Sequence, residues 1–424
     1  MKTKRELTKK AMLLAAPAVF ACLAGGASAA DLRDLPMQVN VYGFLNAQVE
    51  AVKAEGGATP YQARGRLSDG NSRIGFNGSI GILDQTKAIW QIEASLNNFE
   101  NGGTNDQGSS ATLTSRNSFV GVDDVRFGRF IAGNNDSAYR SLVGSGGELG
   151  GNLGLTSHGL DLWNNTTAQM TGNWNSIFGR GEARYKNSVH YFSPKLYGFE
   201  GAVSYGFDEK RDGGSNHDRY SAALKYGYGP FEIGVGYDRQ GNTGADIDKL
   251  QAGYGFQLGD ETGVSTSFYK VIASYKFPTK TYFGIGWERG SYGYEQFVQP
   301  SSSSFYPYVA TGQMKQNGYM VSVAQDIGEK IALMASFGKL GDMENQVFGE
   351  GKDYSATQVS LGGTYAFNKY FMTYVYYTNI KNQALQSVNF GQSPVYSNNS
   401  GTNAAYLAPG DSPRASGLGM IARF

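Results

Sequence analysis

Cysteine is nearly missing from this chain: its 424 residues contain one, Cys22, which lies within the first thirty. Beyond that segment there is no thiol, which excludes a disulfide framework and any cysteine metal cluster. Histidine is almost as scarce. His158, His190 and His217 are the whole set, and none has a partner at metal-ligand spacing. No metal or other cofactor is expected. After residue 30 no run is long and apolar enough for a transmembrane helix, and the mean hydropathy is −0.37. An excess of positive charge is lacking too. Of 37 Lys and Arg and 36 Asp and Glu, five and one fall in the first thirty residues. That leaves 32 against 35, a net charge of about −3, which argues against nucleic acid as a partner.

What is abundant is glycine and aromatic residues: 59 Gly, 28 Tyr and 24 Phe against 11 Pro and 4 Trp. Tyr and Phe suit aromatic girdles where a barrel meets lipid headgroups, and glycine suits strand crowding, bulges and long polar loops. The N-terminus reads as an export signal. Lys2, Lys4, Arg5, Lys9 and Lys10 precede an apolar run, Ala11 to Gly25, too short and too rich in small residues to span a bilayer. Ala27-Ser28-Ala29 supplies a cleavage site, so the expected organisation is a signal peptide over 1–30 and one β-barrel domain over 31–424. Phe20 beside Cys22, and the better peptidase site downstream, argue against lipidation of that cysteine.

From residue 39 a two-residue alternation recurs. Val39, Val41, Gly43, Leu45, Ala47, Val49 and Ala51 oppose Asn40, Asn46, Gln48 and Glu50, which reads as a lipid-facing row against a lumen-facing one. The same pattern predicts strands near 72–82, 86–97, 114–122, 125–132, 187–193, 198–207, 218–227, 230–240, 266–277 and 281–289. It continues at 318–327, 330–340, 354–367, 370–380 and 415–424, sixteen in all. An even number lets a closed antiparallel barrel bring both termini to one side. Tight turns are expected at Leu83-Asp84-Gln85, Asp123-Asp124, Tyr228-Gly229, Pro278-Thr279, Gly328-Glu329 and Asn368-Lys369. Long polar connections cover 133–186, 241–265, 290–317 and 381–414. Short turns on one rim and long loops on the other suit an outer-membrane barrel.

The final strand ends on an aromatic, Phe424, with Ala422, Met420 and Leu418 on one face. This resembles the last-strand signal of bacterial outer-membrane barrels. Further runs carry a closer likeness: Val41-Tyr42-Gly43, Ser72-Arg73-Ile74-Gly75-Phe76, Arg116-Asn117-Ser118-Phe119-Val120-Gly121 and Phe127-Gly128-Arg129. Asn187-Ser188-Val189-His190-Tyr191 follows, then Ser193-Pro194 and Gly198-Phe199. Each is weak alone; in this order, with the signal and Phe424, the chain resembles the Gram-negative general diffusion porins of the β-proteobacterial branch.

That resemblance implies an all-β fold, a transmembrane sixteen-stranded antiparallel barrel with a long third loop folded into the lumen. It implies a homotrimer in the bacterial outer membrane, in contact with lipid and lipopolysaccharide, passing small hydrophilic solutes and ions. Residues 133–186 occupy the third loop's place; a loop this long in a compact protein calls for a role such as narrowing the channel, with an exposed surface loop as the alternative. Glu148-Leu149-Gly150-Gly151 resembles the family's Glu-Phe-Gly-Gly run, whose glutamate lines the constriction. Arg73, Arg129 and Lys186 match basic wall residues facing that glutamate. Read by themselves, Arg73 and Arg129 are also satisfied as solvated lumen charges or partners of neighbouring carboxylates, and Glu148 as a helix cap or partner of Arg140. Arg64, Arg66, Arg116, Arg180 and Arg184 are further candidate lumen charges. The acid the family commonly places four residues before the glutamate is here Gly144, so weak anion preference or little selectivity is expected.

No enzyme is expected. His190 beside Ser188 and Ser193 is the one conceivable catalytic seed, and spacing alone supports no triad. Gly144-Ser145-Gly146-Gly147 lacks the strand–helix context and lysine of a phosphate loop. The rival readings are a substrate-specific channel of the same fold, a barrel with a blocked lumen, and a soluble all-β binding protein.

Overall fold

The structure, a computed structural model, describes residues 37–57, 60–70, 72–96, 113–144, 177–208, 216–246, 263–298, 308–390, 394–395 and 407–424. The expected signal peptide and Glu148 lie outside the described residues. Val39–Phe424 form one unit, and its regular structure is almost all strand.

Sixteen barrel strands follow in chain order. They begin with β1 (Met37–Glu55), β2 (Tyr61–Asp69 continuing as Arg73–Leu83), β3 (Thr86–Leu96), β4 (Leu113–Asp124) and β5 (Gly128–Asp136). After a short helix, α1 (Ala138–Val143), come β6 (Arg184–Phe192), β7 (Phe199–Gly206), β8 (Arg219–Tyr228), β9 (Phe231–Gln240) and β10 (Thr266–Lys276). The long hairpin β11 (Thr281–Val298) and β12 (Tyr308–Ile327) precedes β13 (Ile331–Glu344), β14 (Ala356–Ala366), β15 (Phe371–Asn382) and β16 (Ser412–Arg423). Successive strands pair antiparallel, and β16 returns to β1 in register from Phe44↔Arg423 to Glu55↔Ser412. Closure leaves no barrel strand as an edge, so the wall's backbone groups bond within the sheet.

The alternation seen in the sequence sorts the side chains by face. On β13, Ala332, Met334 and Leu340 are buried while Ile331, Leu333 and Phe337 are exposed. On β1, Val39, Val41, Leu45 and Val49 are exposed while Asn46 and Glu50 are buried. The outward face is therefore apolar and the inward face largely polar, which inverts a water-soluble protein and suits a lipid surround. Each outward Val, Leu or Ile transferred from water to lipid contributes about 1.5–3 kcal/mol. Aromatic residues crowd the short-turn rim, with Phe127, Tyr197, Tyr228, Phe367, Tyr370 and Phe424 all exposed. Toward the other end of β8–β10, Tyr220, Tyr237 and Tyr269 pack as a row of mutually tilted rings, with centroids 5.9 Å and 4.7 Å apart. These are girdles of the kind expected at headgroup level.

All sixteen expected strands are present, with three corrections. Tyr61–Asp69, where no strand was expected, pairs with the upper half of β1. The break before Arg73 is made by Asn46, whose amide donates to the Gly70 carbonyl at 2.9 Å; a Cβ on Gly70 would collide with that amide. The turn placed at Asp123-Asp124 is Val125-Arg126-Phe127 instead, because the Asp124 carboxylate accepts the N–H groups of Arg126 (2.8 Å) and Phe127 (3.2 Å). The stretch 290–317, expected as loop, is mostly strand, since β11 and β12 stay paired out to Val298↔Tyr308.

The closing seam rests on Gly43, whose N–H donates to the Phe424 carbonyl at 3.0 Å and whose carbonyl accepts from Phe424 at 3.1 Å. A Cβ there would collide with the Arg73 carbonyl and lie 2.7 Å from Phe424 Cζ. Gly43→Val is expected to cost about 1–3 kcal/mol or more, read as a lower folded yield and a lower midpoint in denaturant. An unchanged midpoint would contradict this seam.

Candidate functional site in the barrel interior

A bulge builds the first part of the site. The β3–β4 register shifts between Ile92 and Ala94, so Glu93 alone stands opposite Arg116 and Asn117, and such a bulge re-aims side chains. Glu93 accepts from Arg116 Nε at 2.5 Å and from Tyr42 Oη at 3.0 Å. Arg73 Nη1 lies 3.9 Å from the same carboxylate, and its guanidinium covers the Phe44 ring at 4.6 Å. The Arg116 side chain keeps 7% of its exposure and that of Arg73 26%, so Arg116 braces the wall while Arg73 meets water.

The second part continues from Asn117. Asp136, at the end of β5, forms ion pairs with Arg140 Nε at 3.0 Å and Arg184 Nη2 at 3.1 Å, and accepts from Asn117 Nδ2 at 3.1 Å. Arg184 Nε also donates to Asn117 Oδ1 at 2.6 Å. Arg140 arrives on α1, whose first turn is capped by Ser137 Oγ accepting from Arg140 N at 3.2 Å. The Ala138 N–H donates to Ser204 Oγ at 2.8 Å, tying the helix start to the inward face of β7. Among the described residues this network sets four guanidinium groups, Arg73, Arg116, Arg140 and Arg184, against two carboxylates, Glu93 and Asp136.

A third group holds the far end of the long connection between β5 and β6. Ile177, Phe178, Arg180 and Glu182 are fully buried or nearly so. Arg180 Nε meets Glu288 Oε1 at 2.7 Å, its Nη1 donates to Tyr292 Oη at 2.8 Å and its Nη2 to the Gln316 carbonyl at 3.1 Å. Lys270 bridges Glu288 Oε2 at 3.2 Å and Glu182, beneath the rings of Tyr139 and Phe178, each 4.8 Å away. Burial alone would lower the Arg180 pKa; Tyr292 and Glu288 outweigh it and hold the group above its ordinary value. Arg180 is thus an anchor for the connection rather than a water-facing wall charge.

The remaining candidates scatter. Arg129 stands at the short-turn rim over the Phe192 ring, 5.0 Å away. The register puts it level with Asp123, Lys87 and Gly81, roughly eight residues or about 26 Å of strand from Arg73. Lys186 is exposed, because the bulge opposite Asn134 and the left-handed backbone of Asn187 (φ 48°) interrupt the alternation there. Arg64 is exposed over the Tyr61 ring at 4.6 Å. Arg66 pairs with Glu50 at 2.8 Å on the inward face. His190 is buried with both ring nitrogens occupied, 2.7 Å from Ser188 Oγ and 2.7 Å from Ser204 Oγ. Sequence reasoning passed over Glu93, Asp136 and Glu50 as site residues. Glu93 and Glu50 were visible on polar rows, but their partners depend on register.

A row of positive groups interleaved with fewer carboxylates, on an inward wall, sets up a field that attracts anions and orients polar solutes. The chain matches the Gram-negative porin family over residues 14–385. It is 24% identical to an outer membrane porin protein of Bordetella pertussis over 416 residues, covering 89% of this chain and 98% of that one. Against the major outer membrane protein P.IB of Neisseria gonorrhoeae it is 27% identical over 193 residues, covering 44% of this chain; it spans about half, 48%, of that relative. Among solved structures, an anion-selective porin from Comamonas acidovorans superposes with a TM-score of 0.65 at 18% identity, over 92% of this chain and all of the other. Barrel, inward charge and sequence match agree, and the chain belongs to the Gram-negative porin family.

Proposed function

We propose that this porin is a passive outer-membrane channel, passing small hydrophilic solutes and ions down their gradients with a weak preference for anions. Export through the 1–30 signal and assembly as a homotrimer in lipid and lipopolysaccharide belong to the same reading. The observation that carries it is the charge set on the β2–β6 wall. Even with Glu148 added from the loop, Arg73, Arg116, Arg140 and Arg184 outnumber the carboxylates. The third loop is read as entering the lumen because both of its described ends, α1 and 177–183, are held by inward side chains of the barrel. Within this reading Arg73 is the most open of these four guanidinium groups and Glu148 its counterpart on the loop. Arg129 and Lys186 stand apart from the cluster and contribute less.

Reversal potentials in a potassium chloride gradient test it. The expected result is a chloride-to-potassium permeability ratio of about 1–5, falling toward or below unity in Arg73→Glu. Neutral sugars are expected to enter protein-containing liposomes at rates that rise linearly with concentration. Strong cation selectivity would overturn the anion preference. Saturation at low concentration would move the protein to a substrate-specific channel.

A further inference from the structure

His190 is buried on the inward row of β6, opposite Ile131 of β5 and Ser204 of β7. The hydrogen bonds around it fix which ring nitrogen carries the proton. A serine hydroxyl has one proton to give and two lone pairs to offer. Ser188 Oγ gives its proton to a carbonyl, with those of Gly133 and Tyr185 both 2.8 Å away, so at 2.7 Å it accepts from His190 Nε2. Nδ1 is then the bare nitrogen, and at 2.7 Å it accepts the proton of Ser204 Oγ. Among the described residues the Ser204 hydroxyl has no other acceptor, and its oxygen takes the Ala138 N–H at 2.8 Å. The start of α1 is therefore held by a chain of three side chains, Ser188, His190 and Ser204, whose proton directions require a neutral imidazole. A second proton, on Nδ1, reverses the bond to Ser204. The hydroxyl then receives two N–H groups, and its own proton is left without an acceptor.

The groups facing His190 tie this chain to the charged wall. Asp136 of β5 is a carboxylate whose charge acts on it, and the same carboxylate pairs with Arg140 at 3.0 Å and Arg184 at 3.1 Å. Tyr185, on the same strand, lies 6.5 Å away ring to ring and donates to Asp238 of β9 at 2.5 Å. Tyr139 and Arg140 follow Ala138 on α1, and from β7 the neighbour is Ser204.

We propose that His190 is a proton-linked positioning residue of the charged wall. Neutral, it holds Ser204 under the start of α1 and so sets where Arg140 stands. Protonated, it adds a positive charge that competes for Asp136 with Arg140 and Arg184. The guanidinium groups are then less compensated, and the pore favours anions more strongly. The inference rests on the channel reading above.

Reversal potentials of the refolded full chain, taken in a potassium chloride gradient from about pH 8 down to about pH 4, test it. His190→Asn is the deciding variant, since its Oδ1 keeps an acceptor for Ser204 and its amide takes up no proton. At about pH 8 the wild type and His190→Asn are expected to share one chloride-to-potassium permeability ratio. As the pH falls, titrating carboxylates raise the ratio in both, and the wild type is expected to end on the order of two-fold above the variant. Parallel pH profiles overturn the inference, because a merely structural histidine shifts the ratio by the same factor at every pH. If His190→Asn does not fold, nitrogen spectra of isotope-labelled histidine in the wild type decide. The chain has three histidines, and His158→Gln and His217→Gln assign them. An Nε2–H tautomer of His190 whose conversion to imidazolium tracks the rise in anion preference carries the inference. An Nδ1–H tautomer overturns it, as does an imidazolium that forms with no change in selectivity. A wild type without conductance overturns it together with the channel reading.

Discussion

Glu288→Ala is expected to destabilise the folded barrel by about 3–5 kcal/mol, because it leaves Arg180 as a buried charge without its main counter-ion. Glu288 accepts from Arg180 Nε at 2.7 Å and from Gly179 N at 3.0 Å and forms an ion pair with Lys270 at 3.2 Å, and all three charged side chains are 0% exposed. The change should lower the denaturant midpoint of the detergent-refolded protein. Because Arg180 anchors the returning end of the third loop, the variant should also make the chain cleavable by protease near Phe178 under conditions where the wild type is intact. Glu344→Ala is the control. It removes the partner of Arg289 from a pair whose side chains are 30% and 46% exposed, and should cost about 0–1 kcal/mol. Equal effects at the two positions would contradict the buried anchor.

The second large effect is at Glu93, on both stability and selectivity. Glu93→Gln keeps the size and loses the charge that separates Arg73 from Arg116. Arg116 and Glu93 are nearly buried, so the loss should approach the cost of breaking a buried charged pair, about 2–4 kcal/mol with the interior water discounted. Selectivity should move the other way from stability: removing one of two wall carboxylates raises the net positive charge and the preference for anions. Denaturant midpoints and reversal potentials on the same preparation read both. A midpoint shift with no change in reversal potential would place this network away from the ion path.

The strands were legible because each is half in lipid and half in an aqueous interior, which writes a strict two-residue period into the sequence. Where that period was overlaid by other needs, the reading failed. Tyr61–Asp69 ends in Ser68 and Asp69 with Gly70 next, turn chemistry by composition, and the break before Arg73 is made by Asn46 from a neighbouring strand. The β11–β12 hairpin was hidden because Gly290, Ser291 and Gly293 lie in its extension, where no lipid demands an apolar row. Arg73, taken from the likeness of Ser72-Arg73-Ile74-Gly75-Phe76 to the family, lies 3.9 Å from the Glu93 carboxylate. Lys186, taken from the same likeness, is exposed because a bulge in its own strand sets Lys186 and Asn187 against the single Asn134, and no one-dimensional pattern signals such a bulge. Arg129 carried the right local motif at a height set by strand pairing. The partners Glu93 and Asp136 are fixed by register between strands, which a one-dimensional pattern does not contain.

If sixteen strands enclose water, planar bilayers holding the refolded protein must show it. The expected result is stepwise, ohmic conductance that grows in proportion to salt concentration, from protein whose mobility on a gel shifts on heating. Folded protein that adds no conductance steps, or current that saturates at low salt, would contradict an open aqueous path through the barrel.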